Sequence, residues 1–207
     1  MALNSQHIEA ALRHLKKADP ILRTVIRKTG PCRLKPRRDR FDALVSSILS
    51  QQISAKAAAS IRLKLTALLA PKKITPENLA ALTPAILRTA GISNAKAKYL
   101  LDLATRVVNG DLRLERLSRL SDEKVIAQLI EVKGIGVWTA QMFLIFSLGR
   151  PDVFPHDDYG VRTAIKKLYD LSELPDKATS HRIAAPWRPY ASIAAWYCWR
   201  SLDIAGD

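Results

Sequence analysis

The sequence predicts an all-α protein, and three observations carry that expectation. Glycine is scarce, with eight residues in 207, well below the usual ~7%. No Val/Ile/Thr-rich alternating run of strand length stands between turn signals. Capping side chains precede prolines at Asp19-Pro20, Thr75-Pro76 and Thr83-Pro84, where the missing proline N–H costs nothing in a first helical turn. A chain with 48% apolar and 25% charged residues can bury a sizeable core, as one domain or two small lobes.

The elements follow in order. Asp19-Pro20 opens a helix. Residues 40–49 are apolar at Phe41, Leu44, Val45, Ile48 and Leu49, the i, i+3, i+4, i+7, i+8 stripe of a helix packed on a core, ending near Ser50. Ser54 caps a second helix over 55–69, which leaves Gln51, Gln52 and Ile53 in a tight connection. Helices follow Thr75 and Thr83, and Ser93 caps another that runs to Asn109-Gly110. After a basic connector, Ser121 caps an amphipathic helix to Ile130, with Asp122 and Glu123 favourably placed in its first turn.

Thirty-three Lys and Arg against nineteen Asp and Glu leave a net charge of +14, so a polyanionic partner is expected. The two cysteines, Cys32 and Cys198, provide no disulfide framework, no paired metal ligands and no four-cysteine iron–sulfur cradle, and this usage fits a reducing compartment. His7 and Glu9 interrupt the start of the chain where a secretory signal needs apolar residues, and no stretch approaches membrane-spanning length. An intracellular protein without membrane association is expected.

Between the Ser121 helix and the next lies Val132-Lys133-Gly134-Ile135-Gly136-Val137-Trp138-Thr139-Ala140. Two glycines two apart permit a tight reversal and a close backbone approach, and a helix starting at about Val137 would aim free N–H groups at a phosphate. A plain helix–turn–helix connection is the bland alternative. The next helix, 137–148, is apolar on nearly every side and reads as a buried central helix. After it come His156-Asp157-Asp158-Tyr159-Gly160, with Asp158 twenty-two residues beyond Gly136.

The stretch from Lys133 to Gly160 resembles the helix-hairpin-helix DNA glycosylases, and the spacing together with Trp138-Thr139-Ala140 points to the alkylated-base branch, the 3-methyladenine DNA glycosylase II type. Ile48 to Ser54 resembles that family's minor-groove loop, Gly91 to Ala97 its middle helix, and Trp187 to Tyr197 its C-terminal aromatic helix. The likeness covers about residues 10 to 203. It implies a single glycosylase domain over 1–207 with an active-site cleft between two helical lobes. One lobe comprises 40–110 with the hairpin region 111–150; the other comprises the N-terminal ~38 residues with 160–207. The compact form, without an N-terminal α/β domain, is expected.

The resemblance also implies roles. Asp158 matches the catalytic aspartate, whose charge would stabilise the positive deoxyribose and orient water, while Asp157 caps the next helix or stays solvated. Gln52 would fill the gap left by an extruded nucleotide, flanked by Gln51 and Ile53. Lys133, Gly134, Ile135, Gly136 and Thr139 would contact DNA, and hairpin backbone carbonyls are the place for a monovalent cation. No cofactor and no metal held by side chains is expected. Trp138 and Trp196 offer π-faces to a cationic base, with Tyr159 and Met142 also in the pocket, whereas Trp187 and Trp199 are assigned to the core. Met142 stands where larger relatives carry an aromatic, so base preference stays open. Bifunctional relatives carry a lysine where this chain has Trp138, which implies a monofunctional hydrolase. The expected partner is double-stranded DNA containing alkylated bases such as 3-methyladenine or 7-methylguanine, acted on by a monomer in the bacterial cytoplasm or a nucleus. The alternatives are a non-catalytic helix-hairpin-helix DNA-binding protein and a glycosylase for another damaged base.

Overall fold

Side-chain caps start most of the helices. In the computed structural model, which describes residues 3–204, Asn4 caps α1 (Ser5–Ala18) and Asp19 caps α2 (Pro20–Thr29). Asp39 caps α3 (Arg40–Ser50), and Ser54 caps α4 (Ala55–Leu69). Thr75 and Thr83 cap α5 (Pro76–Ala80) and α6 (Pro84–Thr89), each with proline in the first turn. Ser93 and Ser121 cap α7 (Asn94–Val108) and α8 (Asp122–Ile130). Each such cap contributes ~1 kcal/mol by accepting an N–H that the helix itself cannot satisfy. The order ends with α9 (Val137–Phe146), α10 (Tyr159–Leu168), α11 (Lys177–Ala184) and α12 (Ala191–Ile204), and no strand occurs among the described residues.

Two expectations are corrected. α9 stops at Phe146 rather than Leu148, because Gly149 adopts φ 64° and the Arg150 N–H bonds back to the Leu144 carbonyl at 2.9 Å. Its first turn is not buried either: Val137 and Trp138 are 46% and 44% exposed, while Phe143, Leu144 and Ile145 are buried. The basic connector also carries structure of its own, a 3₁₀ turn over Leu114–Arg119 that buries Leu114 and Leu117.

The chain forms two compact units. One comprises Met1–Pro36 and Leu144–Asp207, the other Arg37–Phe143. In the first, α1, α2, α10 and α12 pack around Leu15, Leu22, Ile26, Val161, Ile165 and Trp187. Asp19 ties this unit together from inside. One carboxylate oxygen caps α2 through the Ile21 and Leu22 N–H groups, and the other accepts Trp187 Nε1–H at 2.9 Å and the Tyr169 hydroxyl. In the second unit, α7 packs on α3, α5 and α6. Leu100 and Leu103 of α7, Ile48 and Leu49 of α3, Leu79 of α5 and Leu87 of α6 are buried there, each contributing ~1.5–3 kcal/mol by leaving water.

Candidate functional site

The second unit presents two loops beside each other. After α8, the hairpin closes through an Ile135 N–H to Val132 carbonyl bond of 3.0 Å, and the Ala140 N–H to Gly136 carbonyl bond, also 3.0 Å, starts α9. Gly134 sits at φ +81°, and a Cβ placed there would lie 2.2 Å from the Tyr99 ring, so only glycine allows both the turn and the contact. The Lys133 N–H donates to Asp102 Oδ2 at 2.9 Å. Lys133, Gly134 and Gly136 are exposed. Ile135 is 4% exposed and its N–H is already committed to Val132, so it anchors the hairpin from beneath instead of facing a ligand. Thr139 is likewise buried.

The other loop follows α3. Gln52, at its tip, is one of two non-glycine residues at positive φ among the described residues, at 56°, a conformation that costs an L side chain energy and is held here by its surroundings. The hold is visible. Lys96 Nζ donates to the carbonyls of Leu49 at 2.8 Å and Gln51 at 2.7 Å, and Gln51 Nε2 donates to the Gly134 carbonyl at 2.8 Å. The sequence offered Gln51 and Gln52 alike to a ligand, but the structure turns the Gln51 amide to the hairpin and leaves Gln52 and Ile53 exposed. A groove of about 610 Å³ is lined by Gln51, Gln52, Lys96, Gly134, Gly136 and Trp138, among others. Partial burial pushes the Lys96 ammonium below the usual lysine range. Of the hairpin carbonyls offered to a monovalent cation, those of Val132 and Gly134 already accept one hydrogen bond each; a second lone pair on each oxygen leaves the backbone compatible with such an ion.

The first unit holds the carboxylate. Asp158 is the N-cap of α10 and 8% exposed. Its Oδ1 accepts the Val161 N–H at 2.8 Å and Trp199 Nε1–H at 2.8 Å. Asp158 thus takes the cap that was one of the two roles offered to Asp157, and Asp157 takes the other, a solvated carboxylate. The Asp157 side chain is 71% exposed, with Oδ2 3.1 Å from His156 Nε2. Desolvation pushes the His156 imidazole below its usual range, opposed by Asp157 and reinforced by Lys177 and His181. Trp199, assigned to the core from sequence, packs half-buried against it and is also a partner of Asp158, resting on Phe146 at 5.5 Å between ring centroids. Gly160 allows this approach, since a Cβ there would lie 3.0 Å from the Trp199 ring and 3.2 Å from Asp158 Oδ1. Trp187 is buried as expected. Trp196 is half-buried, with Tyr197 edge-on at 4.9 Å and the Arg200 guanidinium 5.9 Å from its ring centre, so a side-chain cation already sits over that ring. Tyr159 is 71% exposed and Met142 half-buried.

Trp199, Lys96, Tyr99 and Asp102 were missed by sequence reasoning. Trp199 lies three residues after Trp196 on α12, a helical spacing that could have paired them. The three α7 residues act on partners 31 to 47 positions away, where no local pattern signals a contact. Among the described residues no three His, Cys, Asp or Glu side chains gather as a metal site, and no helix is long and apolar enough to cross a membrane.

A sequence model of the family described as HhH-GPD superfamily base excision DNA repair protein matches residues 45–189. DNA-3-methyladenine glycosylase 1 of Schizosaccharomyces pombe is 32% identical over 197 residues, covering 93% of this chain and 86% of the relative. A Bacillus subtilis protein, YfjP, provisionally named a DNA-3-methyladenine glycosylase, is 39% identical over 128 residues; the match covers 62% of this chain and 45% of that relative's length. Among solved structures, the S. pombe 3-methyladenine DNA glycosylase in complex with abasic DNA superposes with a TM-score of 0.82 at 30% identity, over 96% of this chain and 98% of that one.

Proposed function

The chain belongs to the HhH-GPD superfamily of base excision DNA repair proteins, and from that premise we propose that it is a monofunctional DNA glycosylase that releases alkylated purines, such as 3-methyladenine or 7-methylguanine, from duplex DNA. The observation that carries this reading is Asp158, a buried carboxylate with one oxygen fixed by two N–H donors. A fixed charge of that kind serves a reaction in which positive charge develops beside it.

The chemistry asks for three things. The target nucleotide must leave the stack, and the gap must be filled; Gln52, at the exposed tip of its loop, takes that place, with Ile53 as an apolar neighbour. The backbone must be gripped, for which the exposed hairpin around Gly134 and Gly136 offers a close approach to phosphate, supported by the net charge of +14. The bond must then break. A methylated purine is already cationic, so the C1′–N bond cleaves with its electron pair going to the base, which departs neutral. Positive charge passes to the deoxyribose, where Asp158 stabilises it. Water adds at C1′ and gives up its proton through Asp158 to solvent. The exposed face of Trp138 binds the cationic base, an attraction of ~0.5–2 kcal/mol that grows as the site dries. The same residue stands where a Schiff-base lysine would be needed, so no strand is cut. The reaction concerns one nucleotide and needs no second subunit.

Incubation with dimethyl-sulfate-treated duplex DNA tests this reading. The protein is expected to release free methylated purines and leave intact strands with abasic sites. Asp158→Asn, which keeps the helix cap, is expected to slow release by about 10²–10³-fold, the usual cost of losing one preorganised electrostatic partner, while still binding DNA. Tight, salt-sensitive binding without release by the unaltered protein would favour a non-catalytic DNA-binding protein.

A further inference from the structure

Resting on the function proposed above, we propose that one side of α7, formed by Lys96, Tyr99 and Asp102, is a positioning element that sets the separation of the Gln52 loop from the Gly134 hairpin, and thereby couples phosphate gripping to insertion of Gln52 into the duplex. The three residues are three apart along one helix, so they share a side of it. Lys96 holds the loop end of α3 through the Leu49 and Gln51 carbonyls. Tyr99 lies close enough to the hairpin that a single methyl on Gly134 would collide with its ring. Asp102 accepts the Lys133 N–H and is itself steadied by Arg106 Nε at 3.1 Å.

Gln51 completes the frame as a strut between the two loops, its Nε2 on the Gly134 carbonyl and its own carbonyl on Lys96. The loops are therefore not independent. A hairpin fixed on one phosphate would fix where the Gln52 tip stands, and the left-handed backbone at Gln52 would be maintained before DNA arrives. A preformed loop avoids the ordering cost that a flexible one incurs on binding. Lys96, Tyr99 and Asp102 act here through backbone groups of the loops and are positioning residues.

The test uses a duplex with a non-cleavable abasic analogue beside 2-aminopurine, whose emission rises when its neighbour is unstacked. Affinity and emission at saturating protein are read for the full chain, Lys96→Met, Lys96→Arg, and Lys98→Met, which removes a charge from an exposed neighbour on the same helix. Lys96→Met is expected to lose about ten-fold in affinity, the value of roughly one charge-assisted hydrogen bond, and most of the emission rise even at saturation. Lys96→Arg should regain much of both, and Lys98→Met should keep the full rise. A Lys96→Met protein with full emission at saturation, whatever its affinity, overturns the positioning role, since lost charge alone weakens binding without changing the bound state. Should Lys96→Met fail to fold, Asp102→Ala, which frees the Lys133 N–H, is expected to lose the emission rise in the same way, and its retention would equally overturn the proposal. Failure of the unaltered protein to bind duplex DNA overturns the proposed function instead.

Discussion

Trp199 donates its indole N–H to Asp158 Oδ1 at 2.8 Å, on the same oxygen that accepts the Val161 N–H at 2.8 Å. Two donors converging on one atom fix the plane of the carboxyl group as well as its position. Trp199→Phe keeps an aromatic ring beside Phe146 but removes the donor, while the helix cap remains. A hydrogen bond to a charged group contributes ~1.5–3 kcal/mol, and half of that acting on the transition state slows the single-turnover rate of base release by about four- to thirteen-fold. DNA affinity should stay within about two-fold, as no phosphate contact is touched. An unchanged single-turnover rate would remove Trp199 from the catalytic account.

Gly134 and Tyr99 make a second, sharper test. Alanine at 134 must adopt φ +81° and place its methyl 2.2 Å from the Tyr99 ring. The left-handed backbone alone costs ~1–2 kcal/mol, and overpacking adds ~1–3 kcal/mol. Gly134→Ala is therefore expected to lower the melting temperature and weaken DNA binding together. Combined with Tyr99→Ala, which opens space for the methyl, it should recover the overpacking share but not the backbone share. A double-mutant cycle that is simply additive would show that the ring and the hairpin are not coupled.

Asp19 predicts a purely structural loss. It is 6% exposed and accepts from two backbone N–H groups, the Trp187 indole and the Tyr169 hydroxyl. The buried carboxylate also helps to push the Tyr169 phenol well above its ordinary range, after desolvation as the larger cause. Asp19→Ala leaves these donors without an acceptor inside the unit and removes the cap of α2, so a loss of about 3 kcal/mol or more is expected in urea unfolding. Folded protein at low temperature should still release base at the normal rate. A loss below about 1 kcal/mol would mean that water replaces the carboxylate.

The helical class and most helix starts were legible in the sequence because caps are local: Asp19, Ser54, Thr75, Thr83, Ser93 and Ser121 each bond to an N–H two or three residues ahead. The hairpin was legible for the same reason, since Gly134 announces its turn by its own backbone. What escaped was long-range. Trp199 lies 41 residues from Asp158 and Lys96 lies 45 from Gln51, and nothing in either segment marks the partner. Of the two roles offered to Asp157, helix cap or solvated carboxylate, the structure shows the second, because the turn closed by the Asp158 N–H on the Pro155 carbonyl brings the second aspartate, not the first, onto the helix end. Ile135 reads as one more DNA contact in the sequence, but its side chain is buried beneath the hairpin.

The same turn holds a pH-sensitive group. His156, two residues before Asp158, is pushed below its usual range, chiefly by desolvation, with Lys177 and His181 adding to the effect and Asp157 opposing it. In the unfolded chain its value is ~6.5. Between the folded and unfolded values the unfolded chain binds a proton that the folded protein does not, so protonation favours unfolding. The contribution of His156 to stability is therefore complete above about pH 6.5 and is lost as the pH falls toward its folded value. Urea midpoints taken at about pH 7.5, 6.5 and 5.5, on either side of the unfolded value of ~6.5, should fall more steeply for the unaltered protein than for His156→Gln, which cannot take up the proton. The gap between the two should narrow as the pH falls, because the advantage of the neutral imidazole is lost progressively below the unfolded value. Equal slopes in both proteins would show that His156 titrates normally, and that the turn leading to Asp158 tolerates a charged imidazole.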